Sequence, residues 1–244
     1  ILSLMNFINR ITKLLKLIKN KTWRKGLFNK IAANIELEDL IKDLKIEKII
    51  DVGSNKGQFI LLIEGLYKNK NIYSFEPIDE IFKKQKDFFQ YKQNIYFFNF
   101  GIGSAKSTKD FYITNRKDSS SFLQVKDLKS DDYKVKENRS TIIKTLDDVF
   151  TNINLIKHIL LKIDVQGYEL EVLKGSKNLL KKIKYIIVET SQNKLYSNQP
   201  VKEDVIEFLN QNNFVKHREN QPTKIKNYNI IQSDILFKNK SIND

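Results

Sequence analysis

Four acidic residues, Asp51, Glu76, Asp164 and Glu189, each close a short apolar run. The first opens a glycine-bearing loop, Asp51-Val52-Gly53-Ser54-Asn55-Lys56-Gly57. Gly53 and Gly57 let that backbone turn tightly and come close to a ligand. The helix starting there offers unpaired amide donors and a positive end, which suit a carboxylate. Asp51 complements a cationic amino group, and Asn55 belongs to the same turn. The spacing Gly-x-x-x-Gly is neither the Gly-x-Gly-x-x-Gly of a dinucleotide site nor a phosphate loop closed by Lys-Ser/Thr. Glu76 ends the next run, and a carboxylate there can accept hydrogen bonds from both hydroxyls of a ribose. Asp164 is the first candidate for a general base, with Glu169 and Glu189 in reserve.

These residues work together only if the fold brings strand ends into one crevice. Residues 48–52, 71–75, 95–98, 159–163 and 185–188 are apolar runs of strand length. Residues 57–67, 78–89, 168–180 and 201–210 carry helical periodicity. Such alternation predicts an α/β fold, a mostly parallel seven-stranded sheet with helices on both faces. Residues 214–216 and 235–238 are expected to form an antiparallel edge hairpin. Ligands of such sheets bind beyond the carboxyl ends of the strands, where the strand order reverses. Residues 101–146 break the rhythm. Gly101, Gly103, Ser104, Ser107 and Thr108 read as loop, and residues 111–114 and 141–145 as short strands. Ser120 and Ser121 fall in a polar, flexible stretch suited to substrate contacts.

Residues 1–46 read as a helical extension of a main domain at 47–244. Leu4, Phe7, Ile8, Ile11, Leu14, Leu15 and Ile18 repeat at helical spacing, with Lys13, Lys16 and Lys19 largely off that face. The face is expected to dock on its own domain; an anionic membrane surface or an oligomer contact are the alternatives. A second short helix is expected near residues 31–44.

Lys plus Arg is 43 against 29 for Asp plus Glu, a net charge of +14, which favours anionic partners. Hydrophobic residues make up 41% of the chain, so a packed core is expected. The absence of cysteine excludes disulfides, thiolate metal sites and cysteine nucleophiles. No apolar run reaches the length of a membrane span, and the first residues lack the continuous core of a signal peptide. The expected location is cytoplasmic, at most membrane-peripheral. His158 precedes its strand and should lie at the far end of the sheet, while His217 has no evident partner.

The segment Lys162-Ile163-Asp164-Val165-Gln166-Gly167-Tyr168-Glu169, followed by Val172-Leu173-Lys174-Gly175, resembles the signature of FkbM-type methyltransferases. The opening loop is similar to that family's Asp-Val-Gly-Ala-Asn-x-Gly, with Ser54 for Ala. Phe75-Glu76-Pro77, Ser120-Ser121-Phe122, Thr145-Leu146-Asp147-Asp148 and Val188-Glu189 continue the resemblance over residues 48–192. It implies a Rossmann-like class I fold and S-adenosyl-L-methionine as cofactor, with adenine beside Asn99 and Gly101. It also implies O-methylation of a hydroxyl on a sugar, nucleotide-activated sugar or glycan. The basic charge points to an anionic acceptor. An RNA or other small-molecule methyltransferase, or a non-catalytic membrane- or partner-binding module, is the alternative; nucleic acid is disfavoured because no Asn/Asp-Pro-Pro-Tyr motif occurs. Gln166 stands where the family has Glu, and Gln cannot take a proton at neutral pH; as a substrate contact it can still orient an acceptor. A divalent metal held through Asp164 is an alternative source of activation, weakened by the loss of that carboxylate.

Overall fold

The computed structural model describes residues 2–126, 130–153, 155, 158–225 and 230–243, with backbone alone for residues 2–10. Two helices lead, α1 (Leu2–Lys19) and α2 (Lys21–Phe28), followed by a 3-10 turn and the single-turn α3 (Glu38–Ile41). The expected helix over 31–44 is thus mostly irregular. The alternating part runs β1 (Lys48–Val52), α4 (Gln58–Leu66), β2 (Asn71–Phe75), α5 (Asp79–Phe89) and β3 (Ile95–Phe98). Next come β4 (Gly101–Ile102), β5 (Ser107–Thr114), β6 (Val135–Lys144) and α6 (Leu146–Phe150). The chain returns through β7 (Ile159–Ile163), α7 (Glu169–Lys174), α8 (Lys177–Leu180), β8 (Ile183–Ser191) and α9 (Lys202–Gln211). It then forms β9 (Phe214–Glu219), β10 (Thr223–Ile225) and β11 (Ile230–Asn239).

The main sheet has the order β10-β11-β8-β7-β1-β2-β3, with β9 also paired to β11, eight strands among the described residues. The extra strand relative to the expected seven arises because β9 and β10 share one edge of β11. β3, β2, β1, β7 and β8 are mutually parallel, and β11 runs antiparallel to β8. Successive residues of the inner strands face opposite cores. Ile49, Leu160 and Ile187 pack with α4 on one face, while Ile50, Leu161 and Ile186 pack with α6, α7 and α9 on the other. This is the α/β Rossmann-like arrangement that the alternation predicts.

Register explains why the acidic residues converge. Val52 pairs with Phe75 and with Ile163, and Ile163 pairs with Val188. The residues one step beyond, Gly53, Glu76, Asp164 and Glu189, therefore share a level at the carboxyl edge. From β1 the chain goes one way to β2 and β3, then returns on the other side to β7, so the crevice opens between β1 and β7.

Three expectations need correction. Residues 101–146 are not mainly loop: β4, β6 and β5 form a separate three-stranded sheet, which absorbs Gly101, Ser107 and Thr108. Ser120 and Ser121 are buried, not flexible; Thr114 N donates to Ser120 Oγ at 3.1 Å and Ser121 Oγ donates to Gln166 O at 2.7 Å. The third concerns α1. Its Lys13 and Lys16 turn inward to Glu36 and Glu38, at 2.7 and 2.8 Å, beside buried Leu17. Ile11, Leu14, Leu15 and Ile18 point outward instead of docking. Lys residues reach those carboxylates along apolar stems, so the inward face needs few apolar side chains. Leu4, Phe7 and Ile8 lie outside the residues whose side chains are described. α2 is anchored firmly, with Trp23 Nε1 donating to Leu61 O at 2.9 Å and its ring filling the space that a side chain at Gly65 would occupy.

Candidate active site

The glycine loop is shaped by what presses on it. Gly53 has φ +79°, and a Cβ there would stand 1.8 Å from the carbonyl oxygen of Asp164. No other residue allows β1 and β7 to meet this closely while turning left-handed. Beneath the loop, Ser54, Ser74 and Gln85 form a buried hydrogen-bonded triangle with edges of 2.8 Å, and Gln85 Nε2 also donates to Asn55 O. Ser54 thus has a structural reason that an alanine would lack. Gly57 closes the loop at φ +88° against Phe89, outside the cavity lining.

A cavity of about 1510 Å³ opens over the loop, bounded by Gly53, Asn55, Glu76, Gly101, Asp164 and Glu189 among others. That exceeds the roughly 300–1,000 Å³ of a single small-ligand pocket and leaves room for a cofactor and an acceptor together. Glu76 is 5% exposed; its Oε2 accepts from Asn55 N at 2.9 Å and its Oε1 from Ile78 N at 2.8 Å. Burial raises its pKa to about 7, against the lowering effect of those two amides. Asn55 and Gln58, which line the cavity, carry buried side-chain oxygens without a hydrogen-bond partner, whereas Asp51 is fully buried, does not line it and faces Lys162 Nζ at 3.3 Å. Acceptors left unpaired behind a cavity fit a donor-rich ligand group such as an ammonium.

Asn99 does not join them. Its Nδ2 donates to Glu76 O at 2.9 Å and to Pro77 O at 3.3 Å, so it fastens the turn after β2 and does not line the cavity. Gly101 does line it, backed by Phe122.

On the other side of the switch point the residues are more crowded. Asp164 Oδ1 accepts from Gln166 Nε2 at 2.8 Å, and the same amide nitrogen donates to Glu189 Oε2 at 3.1 Å. Gln166 Oε1 accepts from the buried Tyr196 hydroxyl at 3.0 Å. The side chain that departs from the family pattern is therefore a clamp between two carboxylates. Glu189 also accepts from Gln232 Nε2 at 3.2 Å. Its pKa is driven well up, first by burial and then by Asp164, Asp234 and Glu169. Asp234 enters from antiparallel β11 directly opposite Glu189, and burial followed by Asp164 raises it to about 6.

Lys162 holds this cluster together. It is 4% exposed, with Nζ 3.3 Å from Asp51 Oδ1, 3.4 Å from Asp164 Oδ2 and 3.2 Å from Gly53 O. Burial alone would lower its pKa, but Asp51, Asp164 and Asp234 outweigh it and hold the ammonium charged. Glu169 is turned elsewhere. Its Oε1 accepts from Gly167 N at 2.9 Å and Val165 N at 3.2 Å, stabilising the loop into α7, and burial raises it to about 7. It does not line the cavity, nor does Ser121, whereas Ser120 does. His158 sits near Glu47, 4.0 Å away, at the amino end of β7, and His217 lies on β9 away from the cavity lining. Among the described residues, no group of three or more His, Cys, Asp or Glu is arranged to hold a metal ion.

Sequence reasoning missed Lys162, Tyr196, Gln232 and Asp234. Lys162 had a readable signal: a lysine inside a strand otherwise apolar on both faces must find buried carboxylates. The other three come from later segments whose pairing only the fold decides.

Residues 51–216, about two thirds of the chain, match the methyltransferase FkbM domain family. No match was found among curated proteins. Among solved structures, TehB from Haemophilus influenzae superposes with a TM-score of 0.53 at 11% identity, covering 91% of this chain and 67% of its own. TrmK from M. capricolum, in complex with S-adenosyl-homocysteine, gives a TM-score of 0.49 at 12% identity, covering 87% and 71%. Magnesium protoporphyrin IX methyltransferase from Synechocystis PCC 6803, with bound SAM, gives 0.44 at 11%, covering 83% and 74%. The TehB likeness supports the Rossmann-like class I fold. The chain belongs to the FkbM family of S-adenosylmethionine-dependent methyltransferases.

Proposed function

We propose that the protein transfers a methyl group to a hydroxyl of an anionic small molecule or glycan, such as a nucleotide-activated or phosphorylated sugar. S-adenosylmethionine, when bound, supplies an electrophilic methyl on a sulfonium. Glu76 offers one carboxylate to the ribose hydroxyls, with Gly101 and Phe100 along the adenine side. Asn55 and Gln58 supply acceptors for the amino group, with the buried Asp51 contributing charge at longer range. The observation that carries the hydroxyl reading is the clamp. Asp164, 28% exposed at the cavity, is held at one oxygen by Gln166 and approached at the other by Lys162. A carboxylate fixed in this way is oriented to take the proton that the acceptor oxygen loses as its new bond to carbon forms. Glu189 then orients the acceptor, not the proton transfer, since its raised pKa favours the neutral, donating form.

The cavity rim supports an anionic acceptor. Lys30, Lys56 and Lys224 line it without an ion pair among the described residues, and Arg116 and Lys117 stand nearby. The test is a methyl-transfer screen over nucleotide sugars, phosphorylated glycans and RNA, read by the mass gain of one CH2. Methylation of RNA alone would replace this reading with the nucleic-acid one. In a positive assay, Asp164→Ala should retain cofactor binding by calorimetry and lose turnover by about a hundredfold or more. Turnover that survives intact removes Asp164 from the proton transfer. A chelator added during turnover decides whether a divalent ion takes part.

A further inference from the structure

The outward face of α1 sets an unusual surface on this molecule. Ile11, Leu14, Leu15 and Ile18 follow helical spacing and are 41%, 49%, 53% and 42% exposed, on the side opposite the inward Lys13, Lys16 and Leu17. A helix docked only to stabilise the fold would turn its apolar stripe inward. Here the stripe is offered outward, so its burial comes from something outside the described fold.

Charge indicates what covers it. Residues 1–35 contain eight Lys or Arg and no Asp or Glu. Lys19, Lys21 and Lys30 are exposed and form no ion pair among the described residues. A second copy meeting the first through this stripe would bring two such basic segments face to face. An anionic surface neutralises them instead. An exposed apolar stripe with adjacent basic residues is the pattern of a helix lying in a bilayer interface, where each nearby Lys or Arg contributes about 1 kcal/mol.

We propose that α1 rests in the headgroup region of an anionic lipid bilayer, with Ile11, Leu14, Leu15 and Ile18 at the acyl boundary. Lys13, on the inner side of the same helix, lines the active-site cavity, as does Lys30. Docking would therefore hold that basic rim within about one helix diameter, ~10 Å, of the membrane surface. The proposal holds whichever acceptor is methylated.

The full chain is sedimented with vesicles of phosphatidylcholine alone and of phosphatidylcholine with phosphatidylglycerol. We expect pelleting with the anionic vesicles only, weakening as salt rises. Leu14→Gln with Leu15→Gln leaves charge and helix propensity nearly unchanged. It should cut the bound fraction about tenfold or more while calorimetric binding of S-adenosylmethionine persists. Absence of pelleting at low salt overturns the proposal. So does undiminished pelleting of the double variant, which would mark simple adsorption of a cation. A concentration-dependent dimer that the same variant dissolves, without vesicle binding, would assign the stripe to a second copy.

Discussion

The two walls of the crevice solve the burial of charge in opposite ways. On the β1–β2 side the cavity-lining carboxylate, Glu76, is held by two backbone amides, and the side-chain oxygens of Asn55 and Gln58 are left without a hydrogen-bond partner. On the β7–β8–β11 side Asp164 is met by Lys162 and Gln166, Glu189 by Gln166 and Gln232, and Asp234 by Asn220, so the carboxylates are satisfied internally. The first wall is left incomplete, as a ligand-binding surface should be. The second is complete in itself, as a surface that must keep its geometry through a reaction should be. Lys162 belongs to both, since it reaches Asp51 on one side and Asp164 on the other.

The largest expected effect comes from removing that shared cation. Lys162→Met leaves Asp51 and Asp164 without compensation and should cost about 3–5 kcal/mol, a large part of a typical domain's stability. Urea denaturation measures it; a loss below about 1 kcal/mol would mean that the two walls are independent. Next is Glu76→Ala. Loss of charge-assisted bonds to two ribose hydroxyls should weaken calorimetric S-adenosylmethionine binding about a hundredfold, with the fold intact. Equal losses of cofactor affinity in Glu76→Ala and Asp164→Ala would erase the distinction between the walls.

Gln166→Glu probes the self-satisfied wall alone. It removes the donor shared by Asp164 and Glu189, adds a carboxylate beside Asp164 and pushes Glu189 still further up. Turnover near neutral pH should fall about tenfold and the rising limb of the pH–rate profile should move upward, with cofactor affinity unchanged. A rise in activity that depends on an added divalent ion would show instead that the amide had displaced a metal.

The smallest effect is on stability against pH. Glu76 and Glu169 are raised from 4.5 to about 7 by burial, so the folded state holds protons that the unfolded chain has released. Stability from these groups is complete below about pH 4.5 and declines as pH rises to about 7. The ligand-free protein should melt several degrees lower at about pH 8 than at about pH 5. Glu169→Gln, which keeps an oxygen for Gly167 N and Val165 N, should flatten that decline; an unchanged slope would assign it to other groups.

How much of this was legible depended on whether a residue's neighbours are near in sequence. β1, β2 and β7 are apolar runs ending in acidic residues, and periodicity finds them without knowing the fold. The glycine turn and Glu76 follow from the same logic, because register alone sets their common level. Asn99 was misread because a side chain at a strand end can bind its neighbouring backbone as readily as a ligand. Short strands were legible at residues 111–114 and 141–145, but their extent and their pairing into a second sheet were not, because the rest of β5 and β6 is polar and exposed. Tyr196 and Asp234 act across 30 residues from Gln166 and in register with Glu189, contacts that no local pattern encodes. The outward stripe of α1 escaped because periodicity identifies a face, not the direction in which it points.

The position of β11 has a consequence for how the molecule is made. It is paired on both sides, to β8 by one edge and to β9 and β10 by the other, yet it follows all of them in the chain. During synthesis β8 and β9 must each wait with an open edge until their shared neighbour leaves the ribosome. That interval is when a nascent strand is most prone to wrong pairing. The half-buried Glu189 on β8 and the cations Lys216 and Arg218 on β9 would then discourage a premature partner, so charge also guards the unfinished sheet.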